Sequence, residues 1–358
     1  MNLGIVDRLV ARIITKRVFR LPRTIEGNLD ILQAYRIANS HFVIIPACEA
    51  SLLEGMMSMF ADTRRKHAVV ELTETYTQGG ESFAVYRVIE ALAGQFEVGD
   101  RVWLSGWLNS PSNLSDLRAK KIEVTPNVYA QFVDADSDDW VIHVHGWNAS
   151  VDETSRTFRF LNQAGYKNLA LAWPSDFYPW GTGDRVCNYG ATESQVLSEA
   201  INFATAEGAR RIFIFGYSMG TTLIANHLVT HGSASITGVI LDSPLVDLRH
   251  TLTASMLRLK VSERRIELSL AIGQKKLAAM STSFEQLSYT LLETMPKTLV
   301  FYATKDEFLD MSPVTQMALV RADEVQTVDV QSAGHCRTFN QNPERYLGQL
   351  LSFLKAVQ

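Results

Sequence analysis

The sequence predicts an α/β protein: a mostly parallel sheet with helices on both faces, preceded by an α+β accessory region. Three observations carry this expectation. From residue 127 to the C-terminus, apolar β-branched runs alternate with segments of helical periodicity, the pattern of strands joined by crossover helices. Within that part, "RRIFIF" turns abruptly through Gly216-Tyr217-Ser218-Met219-Gly220 into a segment with Leu223, Ile224, His227 and Leu228 at helical spacing. A serine therefore stands at a strand-to-helix corner. Residues 24–126 instead mix strand-like runs such as "AVVELTETYT", "SFAVYRVIEAL" and "GDRVWLSGWL" with Gly-Gly and Val-Gly-Asp turns, the signals of short strands.

At the N-terminus, Leu3, Val6, Leu9, Val10, Ile13 and Ile14 fall near one another on a helix, opposite most of Arg8, Arg12, Lys16, Arg17 and Arg20. Residues 1–23 are thus expected as an amphipathic helix. It suits docking on the protein's own body, and equally peripheral contact with an anionic membrane surface. The basic residues interrupt its apolar runs, so neither a signal-peptide core nor a membrane span is expected. The accessory region 24–126 shows no repeat, low-complexity tract or catalytic motif.

Between residues 127 and 358 strands are expected at 128–132, 140–144, 169–172, 212–215, 239–241, 298–302 and 325–330. Helices are expected at 152–164, 191–207, 221–230, 313–321 and 343–357. Ser150 and Glu153 stand at capping-box spacing at the first of these. Residues 247–295 are too long for a simple crossover and rich in helix formers, which predicts a helical insertion placed as a lid. That insertion carries Met256, Leu257, Leu259, Leu268, Leu270 and Ile272 beside Arg249, Arg258, Lys260, Arg264, Arg265, Lys275 and Lys276. A basic amphipathic lid favours lipid-like or anionic acyl substrates, and a solvated helical face accounts for the same charges.

The 358 residues suffice for a main domain and an accessory one. With 46% hydrophobic and 20% charged residues and a net charge of -4, the chain lacks the basic excess of nucleic-acid binders, and none is expected as a partner. Cys48, Cys187 and Cys336 are scattered without ligand or disulfide spacing, so no structural zinc, metal or cofactor is expected, and a reducing, cytoplasmic setting follows.

The chemistry centres on Ser218. Gly216 and Gly220 leave room for a turn so sharp that the serine is held in strained geometry. A serine hydroxyl is a poor nucleophile at neutral pH and requires a histidine base oriented by an acid. His227 and His231 lie on the helix after Ser218 and His250 opens the insertion, whereas His335 follows the last strand and is the expected base. Asp306, in "TLVFYATKDEFLD", leaves the carboxyl end of a strand and is the expected acid. Asp242, in "VILDSPLVD", does the same and stays open as the alternative.

The developing oxyanion needs two backbone donors. The Met219 N–H at the helix start is one, and the Trp147 N–H in the loop after "WVIHVHGWN" is the other. His143 and His145 are then structural. Trp147, Trp173, Phe177, Tyr178 and Trp180 crowd the loops expected near the serine, and with Tyr217 they form the candidate substrate pocket. Aromatic residues are equally at home in a core.

In motif and chain order, residues 127–358 resemble the α/β-hydrolase superfamily. His145-Gly146-Trp147, Gly216-Tyr217-Ser218-Met219-Gly220, Asp306 and His335 fall where that family places its oxyanion loop, nucleophile, acid and base. More narrowly, "LAWPSD", "YGATESQVLSEAINFA" and "GHCRTFNQNPERY" look like a group of actinobacterial hydrolases with an N-terminal extension. The resemblance implies the mostly parallel sheet described above and a serine esterase or lipase-like hydrolase with a lid, acting on a small-molecule or lipid-like ester without cofactor. An acyltransferase with the same residues, or a binding protein that kept only the fold, are the alternatives.

Overall fold

A computed structural model of the chain describes residues 26–48, 56–61, 66–105, 117–146, 149, 151–173, 188–306, 308–331 and 333–357. The expected helix at 1–23 and Ser150 of the capping pair lie outside them.

The first sheet contains β1 (Glu26–Asp30), β2 (Gln33–Ile37), β3 (Ser40–Pro46), β4 (Met56–Ala61), β5 (Lys66–Gln78), β6 (Glu81–Ala93) and β7 (Arg101–Ser105). They pair antiparallel in the order β1-β7-β4-β5-β6-β3-β2. The long β5–β6 hairpin turns on Gly79 (φ 63°) and Gly80 (φ 86°), two positive-φ positions in succession, which suits glycine and matches strand twist. Alternate residues Val43 and Ile45, Met57 and Met59, Ala68 and Val70, Ala84 and Tyr86, and Val102 and Leu104 bury one face into a core of their own. Among the described residues, region 24–126 contributes strands and no helix.

The second sheet contains β8 (Lys120–Thr125), β9 (Val128–Val133), β10 (Asp139–Val144), β11 (Lys167–Leu171), β12 (Arg211–Tyr217), β13 (Gly238–Asp242), β14 (Lys297–Tyr302) and β15 (Val325–Asp329), in the order β15-β14-β13-β12-β10-β11-β9-β8. From β15 to β11 the strands are parallel, and β9 and β8 add an antiparallel edge. The boundary expected at 126/127 therefore cuts a hairpin: "KKIEVT" pairs with β9 across Asn127 (φ 67°), and the two sheets divide between residues 105 and 120.

Helices cover both faces. α1 (Val151–Thr154), a 3-10 turn (Ser155–Thr157) and α2 (Phe158–Gln163) replace the single helix expected at 152–164. Ser155 and Thr157 of this turn have modest helix propensity, and Arg156 between them points inward, where it is buried. α3 (Ser194–Ala206), α4 (Gly220–His231), α7 (Ser312–Val320) and α9 (Pro343–Ala356) lie close to expectation, and α8 (Thr338–Gln341) is an additional short helix. The interval 247–295 is helical as expected, with α5 (Leu248–Arg258) and α6 (Glu263–Ala279).

Strand alternation sorts the two cores. Ile142, Val144, Ile212, Ile214, Val239 and Leu241 face α3, α4 and the insertion, while Val141, Phe213, Phe215, Tyr217, Ile240 and Phe301 face α2 and α9. Met56 and Val69 of the first sheet pack against this second cluster, and Asn340 Nδ2 donates to Met56 O at 2.6 Å.

The chain runs from β10 outward to β11 and then returns to β12 on the other side of β10. That reversal opens a crevice at the carboxyl ends of β10 and β12, the place where open α/β sheets bind ligands.

Candidate active site

Ser218 leaves β12 at this crevice with φ 49°, a left-handed conformation that costs a non-glycine residue energy and persists only where the surroundings enforce it. Several contacts do so. The Ser218 N–H donates to Asp242 O at 2.9 Å. Ser218 O accepts from Thr221 N–H at 3.0 Å and from Thr221 Oγ1 at 2.6 Å. Thr221 is itself held, its carbonyl by the Tyr289 hydroxyl at 2.8 Å and its Oγ1 by Leu245 N–H at 3.0 Å. Approach distance requires glycine at 220, where the neighbours are main chain, while at 216 an added Cβ would have to displace the end of one side chain. A Cβ on Gly216 would stand 2.6 Å from Ile224 Cδ1, and one on Gly220 would stand 2.3 Å from Val144 O and 2.6 Å from His145 O. The start of α4 is thus pressed against the end of β10.

Asp306 follows β14 and His335 follows β15, so chain order brings both to the same end of the sheet as Ser218. His335 Nε2 lies 2.8 Å from Ser218 Oγ, and His335 Nδ1 lies 2.7 Å from Asp306 Oδ2. A carboxylate only accepts, so Nδ1 carries the proton, which leaves Nε2 of the neutral ring to accept from the serine hydroxyl. Asp306 Oδ1 accepts the N–H groups of Phe308 and Leu309, each at 2.8 Å, which fixes the carboxylate before it meets the imidazole. Burial alone lowers the His335 pKa. The Asp306 charge and hydrogen bond, with a smaller contribution from Cys336, outweigh it and hold the imidazole well above its ordinary value. Phe308 stands edge-on to the ring at 5.6 Å.

Met219 occupies the N-cap of α4 and is buried, next to the serine as expected. Trp147 lies outside the described residues, as do Phe177, Tyr178 and Trp180. The loop before Trp147 passes close to Ser218: a Cβ on Gly146 would meet Ser218 Cβ at 3.1 Å. His145 stacks on Trp173 with centroids 4.1 Å apart, and its Nδ1 donates to Gly146 O at 2.9 Å. His143 is buried beside Asn168, its Nε2 3.0 Å from Oδ1.

Two expected pocket residues belong to the core instead. Trp173 is 2% exposed, its ring face occupied by His145. Tyr217 shares the sheet face of Phe213 and Phe215, stacks on Phe215 at 4.4 Å and lies under the Arg156 guanidinium at 4.7 Å. An aromatic residue beside the nucleophile in sequence is turned through the sheet by strand alternation, and so it faces away from the crevice.

Asp242, the alternative acid, is engaged elsewhere. Its carboxylate accepts from Thr338, Tyr346 and Ser243 and faces Arg156. Sequence reasoning missed this assembly, because residues 156, 243, 338 and 346 share no local pattern. The three histidines between Ser218 and His335 are engaged elsewhere. His227 meets Ser198 Oγ at 2.9 Å and lies tilted against His231 with ring centroids 5.0 Å apart, and His250 Nε2 lies 3.0 Å from Asp310 Oδ2.

Comparison with known proteins agrees with this architecture. Residues 141–349 match a family model described as the alpha/beta hydrolase family. No curated protein matches the chain. Among solved structures, the Pyrococcus furiosus esterase Pf2001 is 21% identical in one crystal form, covering 69% of this chain and 96% of that chain with a TM-score of 0.52. A second crystal form gives 21%, 69%, 94% and 0.50. A CIB-like hydrolase from Thermoplasma acidophilum is 17% identical over 67% of this chain and 98% of that chain, with a TM-score of 0.45. At these identities the likeness to Pf2001 speaks for the fold.

Proposed function

The chain belongs to the alpha/beta hydrolase family, and on that premise we propose that it is a serine hydrolase cleaving carboxylic esters through an acyl-enzyme on Ser218. One observation carries the reading. Ser218 Oγ, both ring nitrogens of His335 and Asp306 Oδ2 form one hydrogen-bonded line, with steps of 2.8 and 2.7 Å. In it, His335 takes the serine proton as Oγ attacks the ester carbonyl and returns it to the leaving alcohol. Asp306 holds the tautomer and stabilises the imidazolium that forms. The Met219 N–H, at the positive end of the α4 dipole, and the Trp147 N–H from the loop after β10 receive the oxyanion. Water then repeats the sequence on the acyl-enzyme, with His335 as base again.

The helices of the 247–295 interval serve as the lid. The substrate is a small-molecule or lipid-like ester, a choice supported by the Pf2001 protein, an esterase whose fold this chain shares. Among the described residues no helix is long and apolar enough to cross a membrane. Peripheral contact through residues 1–23 and a cytoplasmic setting are part of the same proposal.

The test is reaction of the purified chain with a fluorophosphonate probe, followed by turnover of acyl esters of increasing length. Labelling and hydrolysis lost in Ser218→Ala and His335→Ala are expected. Turnover that requires an added alcohol acceptor would replace hydrolysis by acyl transfer, and a wild-type chain that neither labels nor turns over esters would overturn the reading.

A further inference from the structure

Asp242 ends β13, the neighbour of β14, the strand after which Asp306 follows. Its side chain is fully buried, and its carboxylate gathers four partners. Thr338 Oγ1 lies 2.9 Å from both oxygens, the Tyr346 hydroxyl 2.9 Å from Oδ2, Ser243 Oγ 3.1 Å from Oδ1 and Arg156 Nη2 3.6 Å from Oδ2. A buried carboxylate needs such partners to remain charged. What these partners do next is the informative part.

Two of them reach the residue that follows the base. Ser243 Oγ, donating to Asp242, accepts the Cys336 N–H at 2.9 Å, and Arg156 Nη1 donates to Cys336 O at 2.7 Å. Both backbone polar groups of Cys336 are therefore held by side chains that Asp242 holds. Thr338 fastens the start of α8, two residues farther on, to the same carboxylate. The backbone of Asp242 serves the nucleophile as well, since its carbonyl accepts the Ser218 N–H at 2.9 Å.

Backbone conformation points the same way. Ser218, Ser243 and Cys336 have φ values of 49°, 51° and 54°. Three non-glycine residues in left-handed geometry are tied to Asp242, Ser243 by its side chain to the carboxylate, Cys336 through Ser243 and Arg156, and Ser218 by its N–H to the backbone carbonyl, and such residues persist where the surroundings over-determine them.

We infer that Asp242 is a positioning residue for the reaction: from one buried point it sets the backbone of the base-carrying loop at 335–336 and of the nucleophile at 218. The inference rests on the Ser218–His335–Asp306 reading. Asp306 orients the imidazole directly, while Asp242 places the main chain from which that imidazole projects. A buried cluster that served stability alone would not affect kcat separately from KM.

The test uses the full chain and a short acyl ester. Ser243→Ala removes the hydroxyl between the carboxylate and the Cys336 N–H. It is expected to lower kcat about tenfold or more with KM within about twofold, because sub-ångström misplacement of a reacting group acts on the transition state. The pH midpoint of the rate should stay in place, because Asp306 still faces His335. Asp242→Asn should lower kcat at least as far, and the double variant should be no slower than Asp242→Asn, both changes breaking one relay. If Asp242→Asn fails to fold with Arg156 left unpaired, Ser243→Ala decides alone.

Wild-type kcat in Ser243→Ala, multiplying effects in the double variant, or a shift of the pH midpoint in either single variant would overturn the inference. Ser218→Ala separates the two layers. A turnover rate kept in Ser218→Ala defeats the serine reading, whereas an inactive Ser218→Ala beside a fully active Ser243→Ala defeats only the positioning role.

Discussion

Replacing Gly220 by alanine puts the greatest strain on the elbow for the smallest chemical change. The added Cβ would lie 2.3 Å from Val144 O and 2.6 Å from His145 O, and contacts under 3.0 Å are essentially never made by real Cβ atoms. Both neighbours are main chain, so no side chain can rotate away. The start of α4 must retreat from the end of β10 by about 0.7 Å, the gap between the closer contact and that limit. Gly220 lies in α4 and is absent from the positive-φ residues, so the cost is steric alone. A retreat of this size along the Ser218 Oγ to His335 Nε2 line, now 2.8 Å, stretches it to the edge of hydrogen bonding. Misplacement approaching 1 Å costs on the order of 10²-fold in rate, and overpacking costs about 1–3 kcal/mol of stability.

Gly348→Ala is the matched control. That glycine is exposed in α9 with nothing within 4 Å of the added Cβ, so helix propensity should stabilise it by about 0.5–1 kcal/mol with no change in rate. Urea midpoints and kcat/KM for a short acyl ester, measured on both variants, check the comparison. A Gly220→Ala chain with wild-type stability and rate would refute the close packing of α4 on β10.

Three further outcomes concern pH. As the proposed base, His335 works only when deprotonated, so kcat/KM should rise with pH through a midpoint above the ordinary histidine value of about 6.5. Asp306→Asn removes the charge that raises this pKa and leaves the burial that lowers it. The midpoint should then move to lower pH while kcat falls about 10⁴-fold, and an unmoved midpoint in that variant would count against the pairing. His143 is neutral in the fold because burial, aided by Arg156 and opposed by the Asn168 hydrogen bond, pushes its pKa down to about 3. An unfolded histidine takes its proton near 6.5, so the stability tied to His143 is full above that pH and drains as pH falls toward 3. The urea midpoint of His143→Gln should therefore vary less between pH 6.5 and 4 than that of the wild type.

Much of residues 127–358 was legible because a parallel sheet writes itself as apolar runs separated by amphipathic helices. That Ser218, Asp306 and His335 come together could be read from the ends of those runs, since a residue just past a strand has only one end of the sheet to occupy. Other features had no local signature. β8 is a polar edge strand, "KKIEVT", and reads as loop beside its apolar neighbours. The 3-10 turn at 155–157 depends on Arg156 reaching a carboxylate 86 positions away in the chain. Tyr217 shows a different failure. Its type suggested a pocket, while its parity with Phe213 and Phe215 along β12 already assigned it to the opposite face. Asp242 ends β13 and Asp306 lies in the loop after β14, and the three-dimensional contacts separate them, Asp306 meeting His335 with two amides on its other oxygen while Asp242 is held by Thr338 and Tyr346.

The most direct measurement is intact-mass and peptide mass spectrometry of the full chain after brief exposure to a fluorophosphonate. A single adduct on the peptide that contains Ser218, absent in Ser218→Ala and formed far more slowly in His335→Ala, is the expected result. An adduct on another residue, or ester turnover that persists in Ser218→Ala, would contradict the assignment of Ser218 as the nucleophile.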